Sequence, residues 1–302
     1  MNMEFTGLSL IEFTETFKTD ADCKQYLGER KWGDGFTCKK CNHKKATILK
    51  NERTAHRMCT LCKREESPTS GTLFHRVRFG LRKAFFIVYE MSTSSKGLSS
   101  VQVANRYGIS QKTAWYFMQK VRLAMKSSGN HPMTGKVQVD EFTVGGKEKG
   151  KKGRSYHTKK KKVVGAVELT YDNKIKRFYA LPIDNYSGKE LETIFTDHID
   201  TGAKVETDGW KGYNRMKKKY DIKSTKSLPG INFNEIHTVI QNLESWLRAI
   251  PTHVSKEHTK AYLDEFSYRI NRSIHKENIF DGLIRRMIGH PPVNYRSLKL
   301  CS

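Results

Sequence analysis

No uninterrupted apolar stretch in this 302-residue chain approaches the roughly 20 residues that a membrane-spanning helix needs. The N-terminus, Met1 to Lys18, mixes acidic and apolar residues and lacks the basic start and apolar core of a signal peptide, so export is not expected. Internal repeats are absent. Acid is scarce: 31 Asp and Glu stand against 55 Lys and Arg, giving a formal net charge of +24 and a pI near 9.7. That imbalance favours a polyanionic partner, with nucleic acid the leading candidate. The cations are spread along the chain among aromatics, unlike the single polybasic anchor beside a lipidation signal that marks a membrane-surface protein. With 37% hydrophobic residues the chain can pack two or three domains.

Four of the six cysteines fall as Cys38-x2-Cys41 and Cys59-x2-Cys62, with 17 residues between the pairs. This spacing is zinc-like, and four thiolates give Zn²⁺ a closed tetrahedral shell, so the site is expected to be structural. Cys23 and Cys301 lie outside the pattern and read as incidental thiols of a reducing cytoplasm. His43 and His56 are spare ligands that complete cysteine pairs make unnecessary. Trp32, Phe36, Met58 and Leu61 are too few for a core, so the metal must supply much of the folding energy of this ribbon. Its lysines, among them Lys39, Lys40, Lys44 and Lys45, suit a DNA backbone or simply water.

From Leu81 to Met125 the pattern is helical. Ala84-Phe85-Phe86-Ile87-Val88-Tyr89 predicts a buried helix. Ser99 or Ser100 caps a second through Tyr107, Gly108-Ile109-Ser110 turns the chain, and Ser110 caps a third carrying Ala114, Phe117 and Val121. The pattern fits a helix-turn-helix in which Gln111, Lys112 and Tyr116 face outward and can enter a major groove, or a plain helical hairpin. Ser127 to Gly135 reads as a linker. Beyond it lies α/β sequence: strands ending near Asp140, Leu169 and Leu181, a helix from Ser187 to His198, a strand to Asp208, then helices over Tyr213–Tyr220, Val239–Ile250 and Thr259–Asn271. The domains expected are residues 1–72, an N-terminal segment and zinc ribbon; 73–130, the helix-turn-helix; and 131–302, a mixed sheet covered by helices.

Two aspartates in the last domain stand at the ends of strand-like runs. Asp140 follows Lys136-Val137-Gln138-Val139, and Asp208 ends Ala203 to Thr207 before Gly209. Carboxylates at strand ends are rigidly aimed, as a two-metal phosphoryl-transfer site requires. Asp208 with Gly209 also fits an ordinary turn. Between the first two strands, Lys147 to Lys162 carries nine basic residues, two glycines and one acid, Glu148. Lys159 and Lys160 belong to this run, which is expected to meet phosphate or to be merely solvated.

Four motifs stand together in this half of the chain: Val139-Asp140-Glu141-Phe142-Thr143-Val144-Gly145-Gly146, Asp208-Gly209-Trp210-x-Gly212-Tyr213, His237 with Asn242-Leu243, and Tyr262-Leu263-Asp264-Glu265-Phe266-x-Tyr268-Arg269-x-Asn271-Arg272. Jointly they resemble those of insertion-sequence transposases of the DDE type, in the branch related to eukaryotic Merlin elements. The resemblance spans about residues 20 to 290. It implies an RNase H-like core that nicks and joins double-stranded DNA at element ends and target, using Mg²⁺ or Mn²⁺ held by Asp140 and Asp208. The chemistry implied is in-line attack by water and then by the freed 3′ hydroxyl, without a covalent enzyme intermediate. A homodimer or larger complex on DNA in the cytoplasm, associated with the nucleoid if prokaryotic, is expected with it.

Asn242 matches the third catalytic position, where many relatives carry Glu and one sub-branch carries Asn. Its amide can ligate Mg²⁺ but brings no charge. Glu244, where the branch often carries Lys, is the alternative, since residues two apart on a helix point about 200° apart. Arg248 follows on the same helix as a candidate phosphate contact. Glu141, on the opposite strand face from Asp140, reads as a supporting or structural residue, and His237 as a support or a core histidine. Two further readings stay open: a DNA-binding regulator without activity, and a metal-dependent nuclease that cuts without joining.

Overall fold

The structure, a computed structural model, describes residues 5–7, 9–49, 55–145, 160–228, 230–248, 250 and 255–300, the last two without their side chains. The chain divides into two compact units, residues 1–125 with 274–301, and residues 126–273. The second begins near the expected linker. The helix that follows residue 278 packs with the helices Asp20–Lys31, Leu81–Thr93 and Gln111–Met125 of the first unit, whereas the sequence placed it with the sheet.

In the first unit, helices α1 (Leu10–Thr16) and α2 (Asp20–Lys31) precede a three-stranded antiparallel ribbon of β1 (Ala46–Ile48), β2 (Arg57–Cys59) and β3 (Glu65–Glu66). Helices α3 (Leu81–Thr93), α4 (Ser100–Tyr107) and α5 (Gln111–Met125) follow, then α9 (Ile279–Gly289) and α10 (Tyr295–Leu300). The expected caps are present. Ser99 and Gln102 form a reciprocal capping box on α4, Gly108 closes that helix with φ 57°, and Ser110 Oγ accepts from the Thr113 amide at 3.2 Å. The ring of Phe280 on α9 lies within 6.3 Å of the rings of Phe5, Phe13, Phe17, Tyr26, Phe85 and Tyr89. Beside it Asp281 accepts from Tyr26 (2.5 Å), Arg30 (2.5 Å) and Arg285 (2.6 Å), so a buried charge is fully paired.

The second unit is a five-stranded mixed sheet in the order β6-β5-β4-β7-β8. Strands β4 (Lys136–Val144), β5 (Lys161–Leu169) and β6 (Ile175–Ile183) are antiparallel, while β7 (Lys204–Thr207) and β8 (Asp221–Ser224) run parallel to β4. Period-two alternation divides the apolar residues between two faces. Val137, Val139, Val164 and Ala166 pack under α6 (Gly188–His198) through Leu191, Ile194 and Phe195. On the other face Val144, Val163, Val167 and Phe178 meet α7 (Asn234–Arg248) and α8 (Thr259–Ile270) through Val239, Leu243, Leu263 and Phe266. Two features depart from the sequence reading. Lys211–Lys218 is a 3₁₀ helix, with Tyr213 and Met216 buried at its period of three, and β8 was not expected because Ile222 is its one apolar residue. Among the described residues no helix is long and apolar enough to cross a membrane.

Candidate metal centres and nucleic-acid surface

The four ribbon cysteines converge. Sγ atoms of Cys38 and Cys62 lie 3.6 Å apart, as do those of Cys41 and Cys59, and all four fall within 4.8 Å of one another. A disulfide needs about 2.05 Å, whereas Zn–S bonds of about 2.3 Å in a tetrahedron place sulfurs about 3.8 Å apart. The site therefore fits zinc. Both knuckles use one geometry: the amide two residues past the second cysteine's predecessor, at Asn42 and Lys63, donates to the first cysteine's carbonyl (2.9 and 3.1 Å), and both residues adopt positive φ (57° and 56°). The Lys40 amide points at Cys38 Sγ at 3.4 Å, and with the Cys41 amide it holds that thiol down at about 6, so that the thiolate is favoured.

The acidic site arises at the end of a pairing. Strand β7 pairs with Lys136 to Val139 of β4 and stops at Thr207, while β4 continues to Val144. Asp208 therefore leaves its strand beside the stretch of β4 that β7 no longer covers. Asp140 and Glu141 start that stretch, and oxygens of Asp140, Glu141 and Asp208 lie within 4.8 Å of one another. Such a set of hard oxygen donors fits Mg²⁺ or Mn²⁺.

Each acid is oriented. Asp140 Oδ1 accepts from the Glu141 amide at 2.9 Å, and its Oδ2 lies 3.4 Å from His237 Nε2. Asp208 Oδ1 accepts from the Trp210 amide at 3.0 Å, the local turn that the Asp-Gly pair predicted. Glu141 Oε2 accepts from Tyr213 Oη at 2.5 Å. Tyr213 is wholly buried; burial first, then the Glu141 charge, pushes its hydroxyl well above the usual range, so it remains a donor. Gln138 was missed by the sequence reading. Its side chain donates to Glu235 at 2.9 Å and accepts from the Ile236 amide at 3.3 Å, which fixes the start of α7 two residues before Asp140.

The two candidates on α7 lie apart. Counted from His237, which meets Asp140, Asn242 is turned by about 140° and Glu244 by about 20°, though Glu244 sits about 10.5 Å further along the axis. Asn242 is exposed. Glu244 stands outside the acidic group and lies 3.8 Å from Arg248, itself largely exposed.

Of the residues expected to meet DNA, Gln111 and Lys112 are exposed on the first turn of α5. Tyr116 is half-buried: its hydroxyl donates to the Val293 carbonyl at 2.6 Å and its ring packs 5.7 Å from Tyr295. Lys160 is half-buried, and Lys159 lies outside the described residues. The sequence reading also passed over a basic edge. Lys211, Lys217, Lys218, Lys219, Lys223 and Lys226 are all exposed along the 3₁₀ helix and β8, with Asp221 the one acid between residues 209 and 228.

Residues 132–271 match the model of the ISXO2-like transposase domain. The chain is also 23% identical, over 217 residues, to an uncharacterized protein in transposable element ISH50 of Halobacterium salinarum; the match covers 67% of this chain and 71% of that protein. The matched domain begins before β4 and ends after α8, and so contains Asp140, Glu141, Asp208 and their supports. Residues 132–271 are accordingly similar to an ISXO2-like transposase domain.

Proposed function

We propose that this protein is a DDE-type transposase that binds the ends of its element, cuts the phosphodiester backbone and joins the freed 3′ end to target DNA. The observation that carries the reading is the meeting of Asp140, midway along β4, with Asp208, just past the end of the adjacent parallel strand β7, inside a segment that matches a transposase domain. A helix-covered mixed sheet that brings an acid of its central strand beside one leaving the neighbouring strand supports an RNase H-like core.

Divalent ions, when bound, polarise the scissile phosphate and offset charge on the attacking and leaving oxygens. The chain's residues provide the frame. Backbone amides of Glu141 and Trp210 aim Asp140 and Asp208, and His237 steadies Asp140 from α7. Of the residues on α7, Asn242 holds the motif position and Glu244 the flank of His237; the one whose alanine variant loses cleavage is the third ligand. Lys160 and Arg248 contact the phosphate backbone near the cut. Gln111, Lys112 and Tyr116 belong to the helix that reads the element end, and the zinc ribbon adds a second basic grip.

A strand-transfer assay with labelled element ends and Mg²⁺ or Mn²⁺ tests the reading. Asp140→Asn is expected to abolish cleavage and leave DNA binding within about twofold. Retained cleavage would overturn the metal assignment, binding without cutting by the wild type would make the protein a regulator, and cutting without joining would make it a nuclease.

A further inference from the structure

Asn242 carries no charge, and among the described residues Glu141 is the further carboxylate grouped with Asp140 and Asp208. We infer that Glu141, clamped by Tyr213, is the third carboxylate of the divalent-metal set; the inference rests on the proposed role of Asp140 and Asp208. Asp140 and Glu141 face opposite sides of the sheet, Asp140 towards His237 on α7 and Glu141 towards Tyr213 of the 3₁₀ helix. Strand β7 stops at Thr207, which leaves Asp208 beside the edge of β4 that both acids flank. The three carboxylates fall within 4.8 Å of one another.

A structural reading of Glu141 is available: buried Tyr213 needs an acceptor, and Glu141 supplies one. Any carbonyl or amide oxygen would serve that need. A carboxylate 9% exposed and crowded against two others is the least favourable acceptor for a solely structural task, because like charges repel more strongly as water is removed. A bound divalent cation turns that repulsion into attraction. The tyrosine bond does not compete with this. A carboxylate offers about four lone-pair sites, and the neutral hydroxyl takes one of them while leaving the charge in place. Tyr213 is thus a positioning residue: it fixes the Glu141 rotamer from the 3₁₀ helix that directly follows Asp208. The short sequence from Asp208 to Tyr213 then supplies one acid and the clamp on another.

The test is Mn²⁺ binding to the full-length, zinc-loaded protein, measured by electron paramagnetic resonance, together with thermal melting with and without Mn²⁺. Asp140→Asn and Glu141→Gln are each expected to weaken Mn²⁺ binding at least tenfold, and Tyr213→Phe about threefold. Glu206→Gln, which removes an acid of β7 paired with Lys136, is expected to bind like the wild type. Melting separates ligand from scaffold. Without Mn²⁺, Glu141→Gln is expected to melt at or above the wild-type temperature, since a repulsion has been removed, and to lose most of the rise that Mn²⁺ gives the wild type. Wild-type Mn²⁺ affinity in Glu141→Gln, or a lower melting temperature without the ion, would overturn the inference. Unchanged affinity in Asp140→Asn would instead overturn the proposed function beneath it.

Discussion

Burial governs the charge of His198. The side chain lies under the sheet with its ring stacked 4.2 Å from Tyr179, and burial, opposed by Asp197 and helped by Lys260, lowers its pKa from 6.5 to about 4. The folded protein therefore resists protonating a group that the unfolded chain protonates near 6.5. Between those values the unfolded state binds more protons, so stability falls as pH drops through the window from about 6.5 to about 4 and is full above it. The loss is on the order of 3 kcal/mol. Urea midpoints of the sheet unit at pH 7 and pH 4.5 should differ less in His198→Phe than in the wild type. At this scale much of the site was legible. Asp140 and Asp208 showed themselves because an acid carried on or just after a strand is aimed by the backbone, although β4 runs on past Asp140 to Val144, and the cysteines because metal geometry restricts spacing. Glu141 was hidden, since alternation does place it on the opposite face from Asp140, and only the end of β7 beside both, a tertiary fact, brings Asp208 within reach of the two.

An element's surroundings decide what its surface residues do. Asn271 belongs to the motif that closes the matched domain, and its role is to secure a sheet edge: its side chain accepts from the Phe178 amide at 2.7 Å and donates to the Phe178 carbonyl at 3.0 Å. Outer strand β6 is thereby held to the end of α8. Asn271→Leu should destabilise the sheet unit by about 1–3 kcal/mol, because two backbone groups lose their partner; an unchanged chemical-denaturation midpoint would exclude the clamp. Helix α5 shows the opposite case. Its sequence predicted three outward residues, but a carbonyl 177 residues away takes the Tyr116 hydroxyl, a pairing no local pattern encodes. Lys112→Ala is expected to weaken DNA binding and lower the salt slope by about 1, as loss of one phosphate contact does. Tyr116→Phe should instead cost about 1 kcal/mol of stability with little change in affinity. Fluorescence anisotropy across a salt series, paired with melting curves, separates the two.

For the whole molecule, chain order and packing order differ. The chain leaves the first unit at residue 125, builds the sheet unit, and returns at residue 274 to place α9 among the N-terminal helices. Periodicity identifies helices but not their partners, which is why the sequence assigned residues 274–301 to the domain they follow. The return is energetically substantial. Phe280 is 1% exposed within a cluster of six rings, and truncating such a residue costs about 3–5 kcal/mol. Loss of Asp281 also strands the side chains of Tyr26, Arg30 and Arg285. A protein ending at residue 273 keeps every strand of the sheet unit and both helices on its α7 face, but removes α9 from the first. With zinc present, its sheet unit should unfold near the full-length temperature, while the first unit should lose its cooperative transition and become sensitive to protease between α1 and α5. Whether zinc binds or not is a useful contrast, since the four cysteines are local to the ribbon. Retained zinc with a lost helical transition would place the dependence on α9, and two intact transitions would show that the N-terminal helices need no returning segment.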